Sequence, residues 1–356
     1  MNNTKIKNNR FLASPIVTGT LLGVVGVILV CLGNPINSGF CVSCFMEHIA
    51  GALHLHSIER MSYLRPEILG FILGSFLCAY LTGTFKPKSG ISLPLVRLLM
   101  GIYIMIGAGL FIGCPIKAAF RLGAGDLTAI AGILGFIAGV WVGLGFIKNR
   151  FTLERKREAH PIDAFLLPLL IIFLILAYGI KAHFLITGTY GPAAMHAPFL
   201  IALIVSVGIG FSAQRSTFCM MAGVRNFLMS KDTLLLSGIL SLLVSSLVMC
   251  LALGYFKLGM FGQPGSHLAH GWSFGGMFLV GALSTFANGC PFRQLIMAGE
   301  GNIDAGITVI GMLIGAGIVH NWLLRSTLAG PTFQGEIALL TGIIFILILG
   351  ITFRER

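Results

Sequence analysis

Apolar residues run in long blocks along almost the whole chain, each closed by a short polar stretch. The blocks are roughly 17–25 residues long, the length a helix needs to cross a bilayer. Ten are predicted as membrane spans: 14–33, 66–85, 95–112, 127–147, 164–186, 196–212, 233–256, 273–288, 304–324 and 335–353. The first lacks a small-x-small cleavage pattern and reads as a retained span. The expectation is an all-α polytopic membrane protein.

The polar stretches carry the orientation. With the N-terminus inside, 17 of the 24 Lys and Arg residues fall on the inner side, including the run Lys148–Arg157. The outer side receives Arg60, Arg65, Lys117, Arg121, Lys181, Lys257 and Arg325. Such a bias marks cytoplasmic loops. It predicts a multi-pass membrane protein with both termini cytoplasmic. Composition agrees: 56% of residues are hydrophobic and 10% charged, with a mean hydropathy of +0.93, against about 25% charged in soluble domains. The net charge of +12 is then a topology signal, and nucleic acid is excluded as a partner. The lipid bilayer is the expected surrounding.

The second half of the chain repeats the first. Gly113-Cys114-Pro115 returns as Gly289-Cys290-Pro291, 176 positions later. Each copy has a cation three residues after the Cys (Lys117, Arg293) and then a Gly-x-Gly. Ser38-Gly39-Phe40-Cys41 returns as Ser216-Thr217-Phe218-Cys219 at an offset of 178. Spans one to four form one unit and spans six to nine the other, joined by a single crossing. The second unit is therefore expected upside down, as in many transporters whose sites lie between inverted repeats. The division is 1–150 for the first repeat, 151–190 for a basic loop and joining span, 191–330 for the second repeat, and 331–356 for a last span and tail. Segments 46–55 and 222–228 are too short to span and read as half-helices. Such breaks are tolerated at membrane depth only where protein or water covers them.

The chemistry of the breaks points to anions. Pro is favoured at the first helical position, so Cys114 and Cys290 are expected at the N-caps of short helices. Free N–H groups and the dipole there attract anions and favour the thiolate. Lys117 and Arg293 add charge nearby, and Gln214 and Arg215 precede the Cys219 turn as further anion-handling candidates. Asp126 and Asn302 are natural caps for the following spans. A thiol is a weak, polarizable donor, suited to passing a sulfur- or selenium-bearing anion along without trapping it. Cys41 and Cys114, then Cys290 and Cys219, would form such a row, with Cys44 a second candidate beside Cys41.

With these motifs, with Ala213-Gln214-Arg215-Ser216-Thr217-Phe218-Cys219 and Gly289-Cys290-Pro291-Phe292-Arg293-Gln294-Leu295, the chain resembles the YeeE/YedE sulfur-transport family. Met195-His196-Ala197-Pro198, Ala298-Gly299-Glu300-Gly301 and His320-Asn321 resemble its YedE-related selenium-metabolism branch. The resemblance implies an inner-membrane hourglass of inverted repeats with cysteines lining a narrow centre. Those cysteines would fall on Cys41, Cys114 and Cys290, with Cys219 the inverted counterpart of Cys41. Import of a small selenium- or sulfur-containing anion is the implied activity.

Other residues read more plainly. Cys31, Cys78 and Cys250 lie in unbroken apolar runs and read as packing. His54 and His56 read as interfacial, Glu67 as a helix-start carboxylate, and Glu300 as a partner for Arg293. His320 and Asn321 fit either a functional role or interhelical hydrogen bonds. No nucleotide-binding motif is present, no intramembrane acid stands out as a proton carrier, and neither cofactor, resident metal nor enzymatic activity is expected. Two alternatives stay open: a membrane thiol oxidoreductase, disfavoured because the thiols read as single and dispersed, and a soft-metal transporter. A cytoplasmic protein that handles the sulfur or selenium product could dock on Lys148–Arg157.

Overall fold

The computed structural model describes residues 14–87, 93–151 and 161–354. In chain order its helices are α1 (Pro15–Cys31), α2 (Val42–Ala52), α3 (Pro66–Leu81), α4 (Pro94–Phe111), α5 (Pro115–Gly123), α6 (Ala129–Lys148), α7 (Pro161–Gly179), α8 (Phe199–Ser216), α9 (Met220–Ser230), α10 (Leu234–Ala252), α11 (His270–Phe286), α12 (Pro291–Gly299), α13 (Ile303–Asn321) and α14 (Phe333–Thr352). The chain is an all-α polytopic membrane protein, 70% helical and without strands among the described residues. Six of these helices open on Pro, whose missing N–H is not needed at that position.

The ten expected spans correspond to the ten helices of 16 to 20 residues. Eight helical stretches are long and apolar enough to cross a membrane, with α4 running on into α5 and α8 into α9. The other two spans, α1 and α11, have 17 residues each. Lys5, Lys7, Arg10, Lys88, Arg155, Lys156, Arg157 and Arg356 lie outside the described residues. Arg65, Lys117 and Arg121, counted as outer loop cations, are buried in protein. Arg97, counted among the inner loop cations, is buried as well.

Helix partners follow a twofold exchange. α1 packs along α10 as α8 packs along α3, and α4 along α13 as α11 along α6. The short helices obey the same rule, α5 on α10 and α12 on α3. Across the axis two helices meet their own counterparts, α1 with α8 and α4 with α11. Thr18, near the start of α1, hydrogen-bonds the Ser212 and Ser216 hydroxyls at the end of α8, at 2.8 Å each. Beyond the end of α1, Gly33 abuts the His196 carbonyl just before α8. Arg97, in the first turn of α4, donates to Ala287 O past the end of α11 at 3.2 Å, while Gly107 meets Gly276 O. Both counterpart pairs are antiparallel, so the second unit is inverted.

Backbone conformation repeats as well. Positive φ occurs at Gly39 and Thr217 (46° and 54°), at Ile112 and Asn288 (59° and 56°), and at Gly125 and Gly301 (90° each). These are the offsets of 178 and 176 seen in the sequence. Thr217, Ile112 and Asn288 tolerate the left-handed region where it costs a side chain strain, which marks the turns before the Cys residues as held by the surrounding fold.

Candidate functional site

Each of the four short helices begins at a cysteine. Cys41, Cys114, Cys219 and Cys290 are the N-caps of α2, α5, α9 and α12. The half-helices thus start earlier than position 46 and, slightly, than 222. The reason is local: Cys41 Sγ accepts the Cys44 N–H and Cys219 Sγ accepts the Ala222 N–H, each at 3.4 Å. A thiol here does the work usually given to a hydroxyl or carboxylate.

The caps meet in pairs. Cys41 and Cys114 are close enough to interact through their thiols, and Cys114 Sγ faces the N–H groups of Val42 and Lys117. Cys219 and Cys290 are disposed alike: the Cys290 N–H points to Cys219 Sγ at 3.5 Å, and Cys290 faces the N–H groups of Met220 and Arg293. The sequence reading of single, dispersed thiols is corrected here. Residues more than 70 positions apart are gathered because two helix N-termini converge at each end of the twofold. All eight cysteines are free thiols, and all of these four are at most 2% exposed.

The flanking polar groups differ between the two ends. Lys117 Nζ donates to Ile112 O at 2.8 Å and reaches Cys44 Sγ at 3.6 Å. Cys44 thus belongs to the first cluster, its own Sγ directed at Ile112 O at 3.8 Å. Arg293 is ion-paired with Glu300 at 2.9 Å, as anticipated. Gln214 is not turned to the Cys219 site. Its amide joins Cys78, which donates to Oε1 at 3.0 Å, and Thr84 at 3.4 Å, and Arg215 acts on that same cysteine. Gln214 projects from the last turn of α8 toward α3, the helix packed against it. Cys78 is therefore a hydrogen-bond donor as well as packing. Asp126 does not itself begin α6; it is paired with Arg121 at 2.7 Å and accepts the Thr128 N–H. Asn302 does cap α13.

A run of phenylalanines links the two pairs. Phe40, next to Cys41, meets Phe71 at 5.4 Å between ring centroids; Phe71 meets Phe292 at 5.0 Å; Phe292 meets Phe218, next to Cys219, at 6.2 Å. All four rings are at most 1% exposed. Nothing in the sequence reading named this apolar bridge, although two of its members adjoin the repeated cysteines.

The largest omission was Glu47. It is fully buried on α2, where Arg325 Nε and His320 Nε2 reach its Oε2 at 2.9 Å and 3.2 Å. The signal was available: one acid, followed by His48, inside a mostly apolar half-helix. His56 is buried rather than interfacial, its Nε2 at 2.9 Å from Glu47 O. Asn321 donates to Leu55 O at 2.8 Å, in the turn after α2 and not on another helix. Glu67 accepts from Asn34 at 2.7 Å in the first turn of α3. Among the described residues no group of three His, Cys, Asp or Glu is disposed to hold a metal ion.

Residues 215–352 match the sulphur-transport family. The matched sulphur-transport segment runs from the last turn of α8 to the last residue of α14 and carries Cys219, Cys290, Arg293 and Glu300. A search of curated proteins finds no match to the chain. The first thiol pair lies outside the matched segment and is tied to it by the twofold exchange of helices. Mild oxidation of the purified protein is expected to join Cys41 or Cys44 to Cys114, and Cys219 to Cys290. Peptide mapping checks this, and a Cys41–Cys290 link as the main product would contradict the pairing.

Proposed function

We propose that the chain imports a small sulfur- or selenium-bearing anion across the bacterial inner membrane, passing it between the two thiol pairs. One observation carries the reading: the same converging helix ends, each with two thiols and a nearby cation, occur twice in inverted orientation. The sulphur-transport match over the second unit supports the substrate element. The first pair takes the anion from outside, with N–H dipoles and Lys117 compensating its charge. The S–H groups hold its soft terminal atom weakly. The apolar bridge of Phe40, Phe71, Phe292 and Phe218 separates the pairs, so passage requires those rings to move and a hydrated ion has no continuous path.

At the second pair Arg293 receives the anion. Its pairing with Glu300 supports release, because the carboxylate competes with the substrate for the guanidinium. Within this class a selenium species is favoured and a thiosulfate-like anion is the alternative. Uptake of labelled thiosulfate, selenite and selenosulfate into a transporter-deficient bacterium tests both points. At least one is expected to enter well above the empty-vector rate. Copper or zinc uptake with none of the three entering would replace the reading with the soft-metal one. The pairing of thiols gives a membrane thiol oxidoreductase a better footing than the sequence did. Transport that persists in reductant, with no disulfide formed per turnover, separates the two.

A further inference from the structure

We infer that Glu47 and His320 form a proton-binding site that loads together with the anion at the neighbouring Cys44–Lys117 position. This rests on the transport reading above. Cys41, Cys44 and Glu47 follow one another at three-residue spacing on α2, so the two thiols and the carboxylate share one side of the helix. Glu47 is fully buried, and its Oε1 has no hydrogen-bond partner among the described residues. An acid inside a membrane protein is costly and marks function more often than packing. Here a bare carboxylate oxygen is kept one turn from Cys44, a thiol of the first cluster.

Basic groups face it from several elements. Arg325, following α13, and His320, on α13, both face Oε2. Lys117 on α5 acts on Glu47 from the thiol side. The His56 ring lies against His320 with centroids 4.5 Å apart, and His48, the next residue on α2, is held by Arg65 Nε from the start of α3 at 2.8 Å. The Arg325 side chain is 25% exposed and the His320 side chain 5%, so Arg325 gives the cluster its contact with the exterior. An anion arriving beside Lys117 adds a full negative charge to this enclosed set. A proton bound at Glu47 Oε1, or at the imidazole of His320, offsets it. Binding of each then favours binding of the other by the same factor.

The repeat itself indicates that this is not a requirement of the fold. At the offset of 178 the counterpart of Glu47 is Arg225, and at 176 that of His320 is Leu144. Arg225 instead reaches Asn288 Oδ1 at 2.9 Å. The twofold packing thus survives without the carboxylate–histidine pair at the other end. A titratable site at one end only gives the two directions of transport different proton requirements.

The test uses the whole protein in liposomes with a pH-sensitive dye inside and labelled thiosulfate, selenite or selenosulfate outside. For the transported anion, uptake should be faster from acidic medium, and the interior should acidify as the anion enters. Glu47→Gln and His320→Asn should lose both the acceleration and the acidification. Uptake by the wild type without acidification overturns the inference while leaving the transport reading intact. Acidification that persists in both variants overturns it too. Should a variant not transport, calorimetric binding in two buffers of different ionisation enthalpy counts the protons directly. About one per anion is expected for the wild type and none for Glu47→Gln; equal counts reject the inference. Absence of uptake of all three anions by the wild type removes the transport reading itself.

Discussion

Replacing Cys114 with Ala abolishes uptake, and Cys290→Ala does the same, while both variants insert and elute like the wild type. The two thiols occupy equivalent caps of α5 and α12 at opposite ends of the twofold, so neither can stand in for the other. Each thiol faces N–H groups in the first turns of its own and the neighbouring short helix without closing a strict cap hydrogen bond, so removing it should leave insertion intact. A net hydrogen-bond loss of about 1 kcal/mol at one transfer step slows that step by about fivefold. Losing one of the two paired thiols that hold the substrate at that end should cost more. Cys31→Ala serves as a control, since Cys31 is exposed at the end of α1. Uptake by Cys114→Ala and Cys290→Ala at the rate of this control would remove the thiols from the mechanism.

The fold was legible because membrane helices leave a strong one-dimensional signature and because the chain states its design twice. The offsets of 176 and 178 in the cysteine motifs reappear as matched positive-φ residues and exchanged helix partners. The Gly-Cys-Pro caps were readable from the fixed backbone of Pro and its missing donor. What could not be read was which breaks face one another. Cys41 meets Cys114 because two helix ends converge in space, and no sequence spacing encodes that. Gln214 illustrates the opposite error: adjacency to Cys219 in the chain suggested a shared role, yet a helical turn sends its side chain to Cys78. Glu47 was overlooked because a single acid in an eleven-residue helix has no periodicity. Its meaning comes from Arg325 and His320, some 275 positions away, which close on it only in the folded chain.

Asp126→Ala is expected to lower stability by about 3–5 kcal/mol, the usual cost of stranding one member of a buried ion pair. Arg121 and Asp126 have side chains 1% and 0% exposed and lie 2.7 Å apart. The guanidinium also donates to Thr128 Oγ1 at 2.6 Å and to Phe111 O at 3.2 Å, and it stacks on the Phe111 ring at 4.5 Å. One side chain near the end of α5 therefore ties together the end of α4 and the start of α6, fixing the turn that presents Cys114. The second unit has no such clamp, since the matching positions hold Met297 and Asn302. Thermal unfolding of the detergent-purified protein measures the loss, and oxidation of the same sample reads whether Cys114 still reaches Cys41. Combining Asp126→Ala with Arg121→Leu removes the stranded charge and should recover part of the stability. It should not recover full cross-linking, because the tether to Phe111 and Thr128 is then gone. If the single variant unfolds at the wild-type temperature, water must reach Arg121, and the turn before Cys114 is held by the α5–α10 contact instead.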